Sequence, residues 1–138
     1  MINSLIHHLG IGLQSPENAE KFFDTLLVNY LGMIKEETTE AVAGWKGWKG
    51  RGSRIYLYSI NNNRSMSGSL HHLAFTARTR DEVDRFVEWA QLNNITTTSE
   101  PRFYPEYGGD YYAVFFRGPE GLKLELIHLT EQDGAEPL

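Results

Sequence analysis

A short motif written twice limits what this chain can fold into more than any other feature. Residues 5–11 read Leu-Ile-His-His-Leu-Gly-Ile, and residues 69–75 read Ser-Leu-His-His-Leu-Ala-Phe. Placing His7 on His71 shifts one half against the other by 64 positions. Phe22 then falls on Phe86 and Asn29 on Asn93 without a gap. A slightly larger offset, which absorbs one loop, lays Arg54-Ile55-Tyr56-Leu57 on Lys123-Leu124-Glu125-Leu126. Self-similarity of this kind means one supersecondary unit used twice.

Each copy has the same order of elements. In the first, residues 5–13 alternate as a strand. Ser15 is placed as an N-cap with Pro16 at the first helical position, and Ala19, Phe22, Phe23, Leu26, Leu27 and Tyr30 follow at helical spacing. Gly32 closes that helix, and strands are expected over 33–37, 41–45 and 54–60. In the second, a strand over 70–77 leads to Thr79 as N-cap, with Glu82 completing a capping box. Val83, Phe86, Val87, Ala90 and Leu92 form the apolar side of a helix that ends at Asn93-Asn94. Strands are expected to begin at 95–98 and to run over 111–116 and 122–129. The fold class is therefore α+β: two tandem βαβββ modules, one main helix each, forming a cupped mixed sheet. The expected domain is 1–130, made of repeats 1–62 and 68–130, with a turn-prone linker at 61–65 and a polar tail at 131–138. A four-stranded sheet with one helix leaves its other face bare, and two such units can close around a shared cavity.

Composition removes several functional classes. A net charge of −5 is opposite to the basic excess of a nucleic-acid binder. With no cysteine there is no disulfide framework, no thiolate nucleophile and no cysteine-held metal. No stretch has the pattern of a signal peptide or a membrane span, so the expected location is cytoplasmic, with no nucleic-acid or membrane partner.

Four of the five histidines lie in the repeated motif. Burying such pairs without partners is costly, so they call for a chemical reason. Strand alternation puts His7 and His71 with the large apolar residues, toward the helix. It puts His8 beside Gly10 and Gly12, and His72 beside Ala74 and Thr76, on the open side. In the last strand Leu122, Leu124 and Leu126 pack outward, leaving Lys123, Glu125 and Ile127 facing in. His8, His72 and Glu125 then make a two-imidazole, one-carboxylate set suited to zinc, manganese or non-haem iron. His128 falls on the outward face and is read as structural.

Three other stretches carry alternatives. The tyrosine- and glycine-rich residues 102–112, with Tyr104, Tyr107 and Tyr112, are either a substrate-contacting lid or a hairpin loop packed on the sheet. Residues 45–52 mix tryptophan with positive charge and are read as a loop near a pocket mouth. Arg54 and Lys123, matched in the repeat, either hold an anionic substrate group or neutralise nearby carboxylates.

The series HHLGI, SPENAEKFF, YLGM, LHHLAF, RDEVDRF and GPEGLKLEL resembles the vicinal oxygen chelate superfamily over roughly residues 3–130. That superfamily includes glyoxalase I, fosfomycin-modifying enzymes, methylmalonyl-CoA epimerase, extradiol dioxygenases and bleomycin-resistance proteins. Its most specific piece is the turn and strand 119–125, PEGLKLE. The resemblance implies metal ligands on the first and last strands of the units, which here are His8, His72 and Glu125. It also implies a divalent metal (Zn, Mn, Ni or Fe), a small oxygen-rich substrate and a homodimer. The implied chemistry is that of a lyase, isomerase, dioxygenase or thiol transferase, or else metal-free sequestration of a small molecule as in bleomycin-resistance proteins. Glyoxalase I carries Glu where this chain has Tyr56. A neutral phenol is a poor ligand and a weak base, which argues against lactoylglutathione lyase activity and makes Tyr56 a hydrogen-bond donor beside the metal.

Overall fold

The computed structural model describes residues 6–47, 53–60, 70–107 and 109–129. The expected linker 61–65, the tail 131–138 and the basic residues 48–52 lie outside them. The chain divides into two units that meet between Ser69 and Leu70. Each has its own four-stranded mixed sheet and its own helix, so the architecture is α+β with two modules.

The first module runs β1 (His8–Leu13), α1 (Pro16–Phe23), β2 (Ile34–Glu36), β3 (Ala43–Lys46) and β4 (Arg54–Ser59), with sheet order β1-β4-β3-β2. β1 and β4 pair in parallel, and the other neighbours are antiparallel. α1 does not run straight on to Gly32. Residues Asp24–Tyr30 widen into a π-helical segment, with the Leu31 N–H donating to the Leu26 carbonyl at 3.0 Å. Gly32, at φ +74°, then ends the helix in the left-handed region that glycine adopts freely. Phe23, Leu26, Leu27, Trp45 and Leu57 are buried between helix and sheet. Trp45 satisfies its indole by donating Nε1–H to Asp24 Oδ1 at 3.0 Å, and Lys35 pairs with the same Asp24 at 2.9 Å.

The second module runs β5 (His72–Thr76), α2 (Arg80–Leu92), β6 (Arg102–Phe103), β7 (Tyr112–Arg117) and β8 (Lys123–His128), with sheet order β5-β8-β7-β6. Thr79 caps α2 by accepting from the Glu82 N–H at 3.1 Å. The Glu82 carboxylate accepts from the Arg78 N–H at 2.8 Å, one residue before the N-cap position that a capping box uses. The strand expected at 95–98 is a single bridge, Thr97 to Phe116. There the Ser99 hydroxyl accepts the Phe115 N–H at 3.0 Å, in place of a backbone carbonyl, and Pro101 brings no N–H of its own. Pairing resumes at β6 instead. The Pro119–Gly121 turn holds two left-handed residues, Glu120 at φ 58° and Gly121 at φ 77°. Val83, Phe86, Ala90, Phe116, Leu124 and Leu126 form the core under α2.

In both modules, residues paired across the ladders share a face. One face of each sheet is covered by its helix, and the candidates His8, Tyr56, His72 and Glu125 belong to the other.

Candidate functional site

On the open face of the first module, one cross-strand row reads Gly10, Tyr56, Gly44, Glu36. A Cβ at Gly44 would stand 2.6 Å from Tyr56 Cδ1 and 2.7 Å from Thr38 Cγ2. The tyrosine ring therefore lies across the glycine, and its hydroxyl donates to Glu36 Oε2 at 2.8 Å. Arg54 Nε stands 3.5 Å from the other Glu36 oxygen. Burial first, then the bond to Glu36, holds the Tyr56 phenol above its ordinary value of 10.0. The next row begins His8, Arg54. The His8 ring meets Tyr56 edge-on, with centroids 5.9 Å apart. The Tyr56 proton is directed at Glu36, a residue that the spacing of β2 had not singled out.

On the open face of the second module, His72 pairs in register with Lys123, and Ala74 with Glu125. Glu125 is 3% exposed, a charged group taken almost wholly out of water, and it is held from two sides. One carboxylate oxygen accepts the Tyr111 hydroxyl, and the other faces His72 Nε2 at 3.4 Å. Burial first, then the Glu125 bond, pushes the Tyr111 phenol far above its usual value, so it stays a donor. Lys123 lies over the Phe115 ring at 5.0 Å and pairs with no carboxylate among the described residues. Its matched partner Arg54 is committed to Glu36 and to His7, whose Nε2 lies 3.1 Å from the guanidinium.

The tyrosines of residues 102–112 separate. Tyr104 is 6% exposed and packs against Tyr107, Tyr111 and Phe115, with the Arg102 guanidinium 3.7 Å from its ring centre. Tyr107 stacks on it from the solvent side. This is the packed-loop alternative, a wall beside Glu125. Tyr112 corrects the expectation placed on it. Its ring lies on the helix side against Phe103 and Arg80, and its hydroxyl donates to Asp84 of α2 at 2.5 Å. Tyr111, one residue earlier, is the tyrosine that reaches the open face.

His7 and His71 also depart from expectation. Each precedes its strand, so the pleat does not fix its direction, and both are exposed. Each turns to the following histidine, with Nδ1 atoms 3.0 Å apart in the first pair and 2.9 Å in the second. His128 is buried on the helix side, as read from the sequence. Among the described residues, no three His, Asp or Glu side chains gather closely enough to hold a metal ion. His72 and Glu125 come together in the second module, and His8 lies in the first.

These two donors fit a metal in kind and in spacing. Two ligand atoms each about 2.0–2.1 Å from a tetrahedral ion stand about 3.4 Å from one another. The carboxylate is buried and its second oxygen is already occupied by Tyr111, which leaves one oxygen toward His72.

Comparison with known proteins agrees with the architecture. The family model described as Glyoxalase/Bleomycin resistance protein/Dioxygenase superfamily matches residues 5–126. The Bacillus subtilis (strain 168) protein YqjT is 27% identical over 132 residues, which cover 88% of this chain and 97% of that one. A glyoxalase/bleomycin resistance protein from Albidiferax ferrireducens T118 superposes with a TM-score of 0.69 at 23% identity, covering 91% of this chain and all (100%) of the other. A lactoylglutathione lyase from Agrobacterium tumefaciens gives 0.68 at 17% identity, over 91% and 94% of the two chains. At such identities the structures share a fold and nothing finer. With the family model spanning both repeats, the chain belongs to the glyoxalase/bleomycin resistance protein/dioxygenase superfamily.

Proposed function

We propose that the chain is a divalent-metal enzyme acting on a small oxygen-rich substrate, with His8, His72 and Glu125 as the metal ligands. The observation that carries this reading is the buried Glu125 carboxylate facing His72 Nε2 at 3.4 Å. Burying a carboxylate is costly, and a cation between these two groups would offset that cost. When bound, the metal would act as a Lewis acid on neighbouring substrate oxygens.

The chain's own residues have distinct parts. Tyr111 donates to Glu125, fixing its orientation and leaving a single oxygen for the ion. Lys123, which pairs with no carboxylate among the described residues, attracts an anionic substrate group such as a carboxylate or phosphate. Tyr104 and Tyr107 wall the site and exclude water from one side. The reaction class is a lyase, isomerase, dioxygenase or thiol-transferase step. The absence of a carboxylate at position 56 argues against lactoylglutathione lyase chemistry. A cytoplasmic homodimer completes the proposal.

Isothermal titration of EDTA-treated protein with Zn²⁺, Mn²⁺, Ni²⁺ and Fe²⁺ tests it. One ion per chain is expected to bind, with affinity falling at least about tenfold in His72→Ala, Glu125→Gln and His8→Ala. No binding, or binding indifferent to His72→Ala, sinks the reading. The alternative reading is metal-free sequestration of a small molecule. Metal analysis of the purified protein separates the two readings.

A further inference from the structure

The end of the second sheet at which β8 finishes carries a patch that the metal reading leaves unused. Phe103, Tyr112 and His128 form one cross-strand row there, on the helix side. Phe103 is 43% exposed, and the Arg80 guanidinium of α2 lies 4.7 Å from its ring centre and 5.4 Å from that of Tyr112. Stacking uses the flat face of a guanidinium and leaves the N–H donors at its edge for a carboxylate. The other arginines at this end of α2 are already taken, Arg78 by Glu82 at 3.2 Å and Arg85 by Asp81 at 2.6 Å. Arg80 is exposed and pairs with no carboxylate among the described residues. Asp84, one turn further along, is occupied by the Tyr112 hydroxyl.

We propose that this patch is the docking surface for residues 130–136 of the same chain, held by ion pairs from Glu131 and Asp133 to the edge of the Arg80 guanidinium. Those residues read Thr-Glu-Gln-Asp-Gly-Ala-Glu, with three carboxylates and no base. Their starting point is fixed by the sheet. Leu129 follows His128, which lies across from Tyr112, and Phe103 lies across from Tyr112 on its other side. Neighbouring strands stand about 4.8 Å apart, so the patch begins about 5 Å and ends about 10 Å from the end of β8. Four extended residues span about 13 Å, enough to bring Glu131 and Asp133 to Arg80. Seated in this way, the segment covers the exposed Phe103 ring and ties the end of β8 to the start of α2. The surface lies on the helix side of the second module and involves none of the metal-ligand candidates, so it stands or falls apart from the reading above.

The chain has no cysteine, so Ala135→Cys in the full-length protein gives a single attachment point for a nitroxide. In isotope-enriched protein at low salt, the amide signals of Arg80 and Phe103 should lose about half their intensity or more, relative to the reduced label, while Leu92, about 18 Å along α2, loses far less. About 1 M salt, which shortens the screening length to about 3 Å, should restore the lost signals. Arg80→Gln should restore them too, and so should Glu131→Gln combined with Asp133→Asn. The second variant alters no described residue and carries the test if the first disturbs α2. No loss in the labelled protein, or a loss that survives the neutralised acids, overturns the docking. A loss of the same size between separate molecules, seen when labelled chains without isotope are mixed with enriched chains without label, also overturns it, because the occupant is then a second copy.

Discussion

Tyr111 and Tyr112 are neighbours with opposite surroundings, and the difference has a measurable consequence. Burial first, then the Asp84 carboxylate, raises the Tyr112 phenol from 10.0 to about 12. Below the unfolded value both states hold the proton, and the contribution to stability is complete. Between about pH 10 and the folded value the unfolded chain has released its proton and the folded chain has not, so stability falls as pH rises. Tyr112→Phe is expected to flatten the drop in urea midpoint between about pH 10 and 12. An unchanged slope would show that Asp84 has no hold on this phenol. Sequence could not separate the two tyrosines, because Val114 and Phe116 on one side and Ala113 and Phe115 on the other are all apolar. Alternation identifies a face only when the two faces differ. His8, set beside two glycines, was legible for that reason. Glu36 was not, since its role depends on which residue of β4 lies across from it, and register is a long-range property.

At the scale of elements, caps and apolar periodicity placed both helices, and the repeat placed both terminal strands. Of the two misjudged pieces, one lies where a side chain replaces a backbone partner and the other where the backbone bonds change their spacing. Ser99 takes the hydrogen bond that would have extended a strand over 95–98, and the end of the first helix widens after Phe23. The Thr79 cap is a simple test of how much such local bonds contribute. Thr79→Ala is expected to destabilise the protein by about 1 kcal/mol, read by chemical denaturation. A loss below a few tenths of that would mean that the packing of Val83, Phe86 and Ala90 alone holds the start of α2.

Taken as a whole, the molecule was read from its repeat. Two modules of the same plan followed from matching His7 to His71, and the structure has them. What the repeat conceals is an exchange of parts. In the first module the last strand carries the phenol, Tyr56, and the carboxylate is Glu36 on β2. In the second the last strand carries the carboxylate, Glu125, and the phenol is Tyr111 just before β7. One plan thus gives a buried acid turned toward a histidine and, at the matched place, a tyrosine leaning on an outlying acid. If the first arrangement holds a metal, global stability must feel it. Zn²⁺ at a hundred times its dissociation constant should raise the unfolding free energy by about 2.7 kcal/mol, a gain absent in His72→Ala. No shift in urea midpoint for the wild type would argue against the site.

The parallel pairing of β1 with β4, and of β5 with β8, has a consequence for how the chain is made. The first strand of each module finds its partner only in the last one synthesised, so neither sheet closes until its own final strand has left the ribosome. Closing such distant ends is slow, but the first module has all its strands before the second has begun. During synthesis the two histidine motifs therefore mark time as well as place. His8 can be seated against Arg54 while His72 is still waiting for Glu125.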